Sequence, residues 1–239
     1  MPDTLVINEI YLSLQGESTF AGLPCVFVRL TACNLRCSYC DTAYAFTQGR
    51  EMTVTEVAAR IHELARPFAP KLPLVELTGG EPLLQKDSLP LMDGLCDAGF
   101  TVLLETSGAL DIAPVDSRVH RIMDLKCPSS GESKRNRWEN LPHLKGGDEI
   151  KFVIGTQQDY DWAKETLRAH NLAAVCPVLF SWVAPLQPRQ QDKSLRKVPD
   201  GHAPISRVEL VEKIIADALP VRFQLQMHKF IWPPDQKGV

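Results

Sequence analysis

Along most of the chain, short apolar runs alternate with stretches in which apolar residues recur every three or four positions. The runs CVFVRL (25–30), LVELT (74–78), TVLLET (101–106), RIMDLK (121–126), EIKFVI (149–154), AVCPVLF (174–180) and VRFQLQ (221–226) are mostly near-continuous in apolar character. That is the pattern of parallel strands covered on both faces. Helical patterns lie between several of them. TVTEVAARIHELAR opens with Thr53 and Glu56 at capping-box spacing. LPLMDGLCDAG closes on Gly99, a helix-stop residue. DYDWAKETLRAH and SRVELVEKIIADAL follow the same logic. Repeated strand–helix units predict a mostly parallel α/β sheet, open or curled into a barrel, with the chemistry at the C-terminal ends of the strands. The polar, Pro-rich stretch 184–204 is expected to be a long loop, serving as a lid or an interface.

Length and composition narrow this little. The 239 residues suit one α/β domain spanning 1–239, and 44% hydrophobic with 23% charged residues is ordinary for a globular protein. Lys plus Arg number 26 and Asp plus Glu 29, for a net charge of −3, which gives no case for a direct nucleic-acid or membrane partner. The basic clusters SKRNR (133–137) and DKSLRK (192–197) read as solvated loops. No apolar run reaches the roughly 18 residues of a membrane span, and the N-terminus lacks the basic and apolar regions of a signal peptide. A cytoplasmic location is the expectation.

Seven cysteines, in a reducing compartment, point to metal or catalysis before disulfides. Cys25, Cys96, Cys127 and Cys176 lie apart and read as small buried hydrophobes. Cys33, Cys37 and Cys40 instead stand in TACNLRCSYCDT, as C-x3-C-x2-C. A core stripe on one helix face would have this spacing. The intervening Asn34, Ser38, Asp41 and Thr42 favour turns instead. Three thiolates suit zinc or an iron–sulfur cluster. A structural zinc site is closed by four ligands, and neither a second C-x-x-C nor an H-x3-H partner exists. A four-iron cluster on three thiolates keeps one iron open for chemistry.

Further polar groups cluster at strand ends. In ELTGGEPLL (76–84), Gly79 and Gly80 allow close backbone approach, and Glu81 can accept from an ammonium; a plain strand-to-helix turn would read the same way. ETSG (105–108) offers Glu105, Thr106 and Ser107, and DLKCPSSG (124–131) offers Asp124 and Lys126, either for ribose hydroxyls and a carboxylate or as caps and surface pairs.

The cysteine spacing with Tyr39 before the last thiol, together with GGE, resembles the radical SAM superfamily. The resemblance implies a [4Fe–4S] cluster on Cys33, Cys37 and Cys40, with S-adenosylmethionine (SAM) on the open iron and a 5′-deoxyadenosyl radical formed by one-electron cleavage. It implies SAM contacts from Tyr39, Cys40, Asp41, Gly79, Gly80, Glu81, Glu105, Ser107, Asp124 and Lys126, within a modified, incomplete (β/α) barrel. Within that superfamily, INEIYLSLQGESTFAGLPCVFVRLTACNLRCSYCDT and the later Gln226-x-His228-Lys229 resemble the 7-carboxy-7-deazaguanine synthases of the queuosine pathway. That resemblance implies substrate contacts from Leu14, Gln15, Gly16, Glu17, Arg29, Thr78 and His228. It also implies a Mg2+ ion on Thr42, a homodimer, and a flavodoxin or ferredoxin as reductant. Gln15 and Glu17 suit a pterin edge and Arg29 a carboxylate. The implied reaction contracts the ring of 6-carboxy-5,6,7,8-tetrahydropterin to 7-carboxy-7-deazaguanine, releasing ammonia and regenerating SAM.

Two departures stand out. The family's Q-G-E-G is Q-G-E-S here, and Ser18 is a poor substitute wherever a glycine needs positive φ. The segment after His228-Lys229 also runs on through FIWPPDQKGV, so 233–239 is expected to be a mobile tail or an altered cover for the site. Two other readings compete. A glycyl-radical-activating enzyme would share the cysteine spacing but need an open peptide groove. A zinc-stabilised binding module would be colourless and hold about one zinc.

Overall fold

The computed structural model describes residues 3–239. Nine strands form one sheet: β1 (Thr4–Leu14), β2 (Pro24–Leu30), β3 (Arg50–Thr53), β4 (Leu74–Gly79), β5 (Val102–Thr106), β6 (His120–Asp124), β7 (Glu149–Ile154), β8 (Val178–Trp182) and β9 (Arg222–Gln224). Their spatial order is β3-β1-β2-β4-β5-β6-β7-β8-β9. From β2 to β9 every pairing is parallel, while β1 runs antiparallel to both β2 and β3. Among the described residues β3 and β9 do not pair, so the sheet curls without closing: the expected incomplete α/β barrel.

Helices α1 (Val54–Ala65), α2 (Ser88–Asp97), α3 (Gln157–Ala169) and α4 (Arg207–Ala216) pack on one face of this sheet. α1 begins with the predicted Thr53–Glu56 capping box, and Thr156–Asp159 and Ser206–Glu209 start α3 and α4 in the same way. Val57, Ile61, Leu91, Leu95, Tyr160 and Leu210 meet Val26, Val28, Val75, Leu77, Ile150 and Phe152 in the main core. The opposite face carries a smaller plug of Cys25, Phe27, Leu74, Leu103 and Ile122 near the strand beginnings. Beyond the plug, that face turns polar.

Three boundaries differ from the sequence reading. β1 and β3 were not predicted. β3 is only four residues long, and β1 is bulged between Ile7 and Glu9. The bulge breaks the alternation: Leu5 and Ile7 face the helices before it, Ile10 and Leu12 after it. The third is the run 174–180, which gives way to β8 at Val178–Trp182. Pro177 has no N–H for a central ladder, and residues 172–174 form a 3-10 turn. The stretch 184–204 is a long loop, tied to the start of α3 by a bridge between Thr156 and Pro204.

Candidate active site

The bulge in β1 has a consequence for the site. It turns Glu9 and Tyr11 onto the polar face, opposite Arg29 and Phe27 of β2. Arg29 Nε then lies 2.7 Å from Glu9 Oε1, its Nη2 donates to Tyr11 Oη at 2.9 Å, and Tyr11 stacks on Phe27. Side chains alternate along each following strand, so Glu76 and Thr78 of β4, Glu105 of β5, Asp124 of β6 and Lys151 of β7 line the same face. They surround a cavity of about 720 Å³ at the C-terminal ends of the strands, within the size range of small-molecule sites.

The cysteine loop forms one wall of this cavity. Cys33, Cys37 and Cys40 all border it, as do Tyr39, Asp41 and Thr42; Cys25, Cys96, Cys127 and Cys176 do not. Gly79 and Gly80 let the end of β4 press against this loop. A Cβ on Gly80 would meet the Ala32 carbonyl oxygen at 2.0 Å and Cys33 Cβ at 2.8 Å, and one on Gly79 the Leu30 carbonyl oxygen at 2.3 Å. Burial pushes all three thiols up, Cys37 to about 12. Thiols so placed become thiolates only beside strong positive charge, such as that of an iron cluster. Among the described residues no three metal-ligating side chains converge on a single point. A cubane does not require that, because each thiolate binds a different iron corner. Two buried oxygens of residues on this cavity, Tyr39 Oη and Asp124 Oδ1, have no hydrogen-bond partner among the described residues, leaving polar positions for a bound group. The donor set therefore fits a cluster with a polar ligand beside it.

Glu81 lies behind the wall, apart from the other expected contacts. It is fully buried and is not among the residues bordering the cavity. Its carboxylate accepts from Ser107 N at 2.8 Å, Ser107 Oγ at 2.6 Å, Thr106 Oγ1 at 2.9 Å and Leu83 N at 3.1 Å. It fastens the GGE turn to the end of β5 and so fixes Gly79, Gly80 and Ser107 at the wall. Every other predicted site residue borders the cavity.

A second part of the lining joins the N-terminal Gln15–Glu17 loop to the C-terminal segment, and it meets the cysteine loop at Asp41. Gln15 is buried; its Oε1 accepts from Glu17 N at 2.8 Å and its Nε2 donates to Glu76. Gln226 donates to Glu17 Oε1 at 3.1 Å, and Met227 N to the Gly16 carbonyl at 2.9 Å. Lys229 pairs with Asp41 at 2.5 Å. His228 opens the short helix α5 (His228–Ile231) and packs on Gly16. Burial lowers its pKa despite the nearby Glu17 and Asp41, so its ring is neutral at pH 7. Ser18 does adopt positive φ, 63°, at a cost of about 1–2 kcal/mol. Its hydroxyl accepts from Phe20 N at 3.1 Å and its carbonyl from Gln224 at 3.2 Å. The segment 234–239 lies along the cavity mouth, with Lys237 over the Tyr44 ring at 3.9 Å.

Beside Glu17 stands Lys151, which sequence reasoning missed. Its Nζ bonds Glu105 and lies 3.2 Å from Glu17 Oε2. Burial alone would favour the neutral amine, but the two carboxylates hold it well above the usual lysine range. Burial likewise opposes ionisation of Glu105, yet Lys151 and the Thr78 hydroxyl keep it below the usual carboxylate range. Glu76, also missed, goes the other way: burial and then the Glu105 charge push it well above the usual carboxylate range. The signal for both was a charged residue inside a strand of apolar character, LVELT and EIKFVI, where burial demands a partner.

Comparison with known proteins agrees with this geometry. The radical SAM superfamily pattern matches residues 28–173. A 7-carboxy-7-deazaguanine synthase from Koribacter versatilis is 47% identical over 235 residues, covering 98% of this chain and 99% of its own. One from Chlorobaculum tepidum is 42% identical over 98% of this chain and 97% of its own. The crystal structure of QueE from Escherichia coli shares the fold, with a TM-score of 0.69 at 23% identity over 94% of this chain and 95% of its own. With near-complete coverage at such identity, the chain belongs to the 7-carboxy-7-deazaguanine synthases of the radical SAM superfamily.

Proposed function

We propose that the chain contracts 6-carboxy-5,6,7,8-tetrahydropterin to 7-carboxy-7-deazaguanine with loss of ammonia, as a radical SAM lyase of 7-deazapurine biosynthesis. One observation carries the reading most directly. The three cysteines and the Gln15–Glu17 loop border a single cavity, so a radical generated beside the cysteines forms in the space that holds the substrate.

Membership of the superfamily implies a [4Fe–4S] cluster and SAM, which when bound supply a carbon radical able to take a hydrogen atom from the substrate. The protein's own residues hold, orient and exclude water. Cys33, Cys37 and Cys40 would hold the cluster. Asp124, with Oδ2 at 2.6 Å from Lys126 and Oδ1 unpartnered, is placed to accept a ribose hydroxyl. On the substrate side, the Gln15 amide keeps one N–H and one lone pair for a pterin edge. Arg29 Nη1 has no partner among the described residues and faces the cavity with a donor for a carboxylate. His228, neutral and set against Gly16, offers a ring nitrogen at the same wall.

Thr42 is proposed as a Mg2+ ligand. Its hydroxyl borders the cavity and, among the described residues, is hydrogen-bonded only to Cys40 Sγ at 3.7 Å, which suits a cation that seeks oxygen. Residues 1–239 are read as one catalytic unit, supported by the continuous nine-strand sheet. The family resemblance supports a cytoplasmic homodimer served by a flavodoxin or ferredoxin. Among the described residues no helix is long and apolar enough to cross a membrane.

The test is an anaerobic assay of reconstituted protein with SAM, Mg2+, dithionite and the carboxy-tetrahydropterin, read by mass spectrometry. Many turnovers of the deazaguanine carboxylate with little net SAM loss are expected. SAM cleavage with untouched pterin would refute the substrate while leaving the radical chemistry.

A further inference from the structure

Glu76 is an acid in an apolar setting, and the reaction proposed above gives it no task. On β4 it follows Leu74 along the same face, and its neighbours in register are Phe27 of β2 and Leu103 of β5. All three belong to the apolar plug. Glu76 is therefore the first polar side chain on β4 where the plug gives way to the cavity. It is only 3% exposed, yet it borders that cavity.

The side chain has one hydrogen-bond partner among the described residues, Gln15. The orientation of that amide is fixed. The Glu17 N–H can only donate, so the Gln15 atom 2.8 Å from it is the amide oxygen, and the amide nitrogen is the atom at Glu76. Gln15 thus donates to Glu76 Oε2, and Oε1 is left without a partner among the described residues. No cation makes an ion pair with it there either. Lys151 is held by Glu105 and Glu17, and Arg29 by Glu9 and Tyr11. Glu105 of β5, Glu17 of the loop after β1, Tyr11 of β1 and Cys25 of β2 also act on it electrostatically. A carboxyl buried beside other acids, with no cation of its own, favours the protonated form. Burial and then the Glu105 charge drive Glu76 that way. The protonated acid accepts at one oxygen and donates from the other, and acids kept neutral by an apolar site serve as hydrogen-bond donors.

We propose that Glu76 is a specificity-determining contact for the substrate: while Oε2 holds the Gln15 amide in place, the hydroxyl on Oε1 donates a hydrogen bond to an acceptor atom of the substrate ring. The inference rests on the pterin reading, since a pterin offers a carbonyl oxygen and unprotonated ring nitrogens as acceptors. Amide and acid then read the ring together, Gln15 with one donor and one acceptor, Glu76 with a second donor. A ligand that presents an N–H to Glu76 sets donor against donor and is disfavoured.

The experiment uses the reconstituted, SAM-bound full chain without reductant, so that nothing turns over. The Kd of 6-carboxy-5,6,7,8-tetrahydropterin is measured anaerobically by calorimetry, with the Kd of SAM alongside. Glu76→Gln keeps an acceptor for Gln15 and puts an N–H where the O–H stood. Glu76→Met keeps the bulk and removes both. Pterin binding should stay within about threefold of wild type in Glu76→Gln and weaken about tenfold or more in Glu76→Met, with SAM affinity unchanged in either. The donor is present below the pKa of the acid and lost above it. Wild-type affinity for the pterin should therefore fall toward alkaline pH relative to Glu76→Gln, whose amide does not titrate. That comparison needs only the Gln variant, so it decides the matter even if Glu76→Met fails to fold. Pterin binding by Glu76→Gln as weak as by Glu76→Met, parallel pH profiles for wild type and Glu76→Gln, or SAM affinity falling in step with pterin affinity would each overturn this contact alone. Absence of pterin binding to the wild type would overturn the substrate reading and this contact with it.

Discussion

A Cβ on Gly16 would lie 2.6 Å from His228 Nδ1 and 3.2 Å from the His228 backbone nitrogen. These residues, 212 positions apart in sequence, are in direct packing contact, and the contact holds the C-terminal Gln-x-His-Lys segment against the substrate wall. Gly16→Ala should displace α5. The expected result is a rise in KM for the pterin of about tenfold, or ~1.4 kcal/mol, with the affinity for SAM little changed. Equal losses toward both ligands would mean that the loop supports the whole site rather than the substrate side.

Glu81 predicts a stability effect. Its buried carboxylate takes hydrogen bonds from the backbone and hydroxyl of Ser107, from Thr106 and from Leu83. Glu81→Gln sets an amide donor against those donors and should cost about 3 kcal/mol in urea unfolding. A near-neutral result would contradict the fastening role and favour a direct ligand role.

Lys151 predicts non-additivity. Lys151→Met leaves the half-buried Glu105 and Glu17 without their cation and should destabilise by about 1–3 kcal/mol. Adding Glu105→Gln should recover part of that loss. The deficit should also depend on pH. In the wild type Glu105 stays ionised, so its contribution is present above the usual carboxylate pKa and is lost only as pH falls through its lowered value. Without Lys151 the carboxyl titrates higher, and its protonation relieves the strain. The gap between variant and wild type should therefore narrow from pH 8 to pH 5.

His228 predicts a second pH effect, of the same sense in the wild type. Its folded pKa lies below the ordinary 6.5 because burial disfavours the imidazolium. Between the two values the unfolded chain binds more protons, so this contribution is lost as pH falls through that window and is level on either side of it. An NMR titration should place the ring below 6.5, with KM for the pterin climbing as pH drops from 7 to 5.5. A ring titrating above 6.5 would contradict this account.

The cysteines separate by position. Replacing Cys33, Cys37 or Cys40 with Ala should abolish iron retention and the brown colour. Cys127→Ala should keep roughly four irons per chain and lose only about 1 kcal/mol of packing, since that thiol is fully buried in the main core. Full iron content in any of the first three variants would remove that residue from the ligand set.

Local signals made much of this legible in the sequence. The capping boxes of α1, α3 and α4 and the apolar runs of the parallel strands depend on residues within a few positions of one another, so they appear in the chain as written. The cysteine loop carries its chemistry in its own spacing. The tertiary structure decided what depends on distant partners. The bulge that turns Glu9 toward Arg29 is set by pairing with β2. The enclosure of Glu81 needs the end of β5. The bridge of Lys151 to Glu17 spans 134 residues, and a lysine in EIKFVI has no local partner to announce its charge.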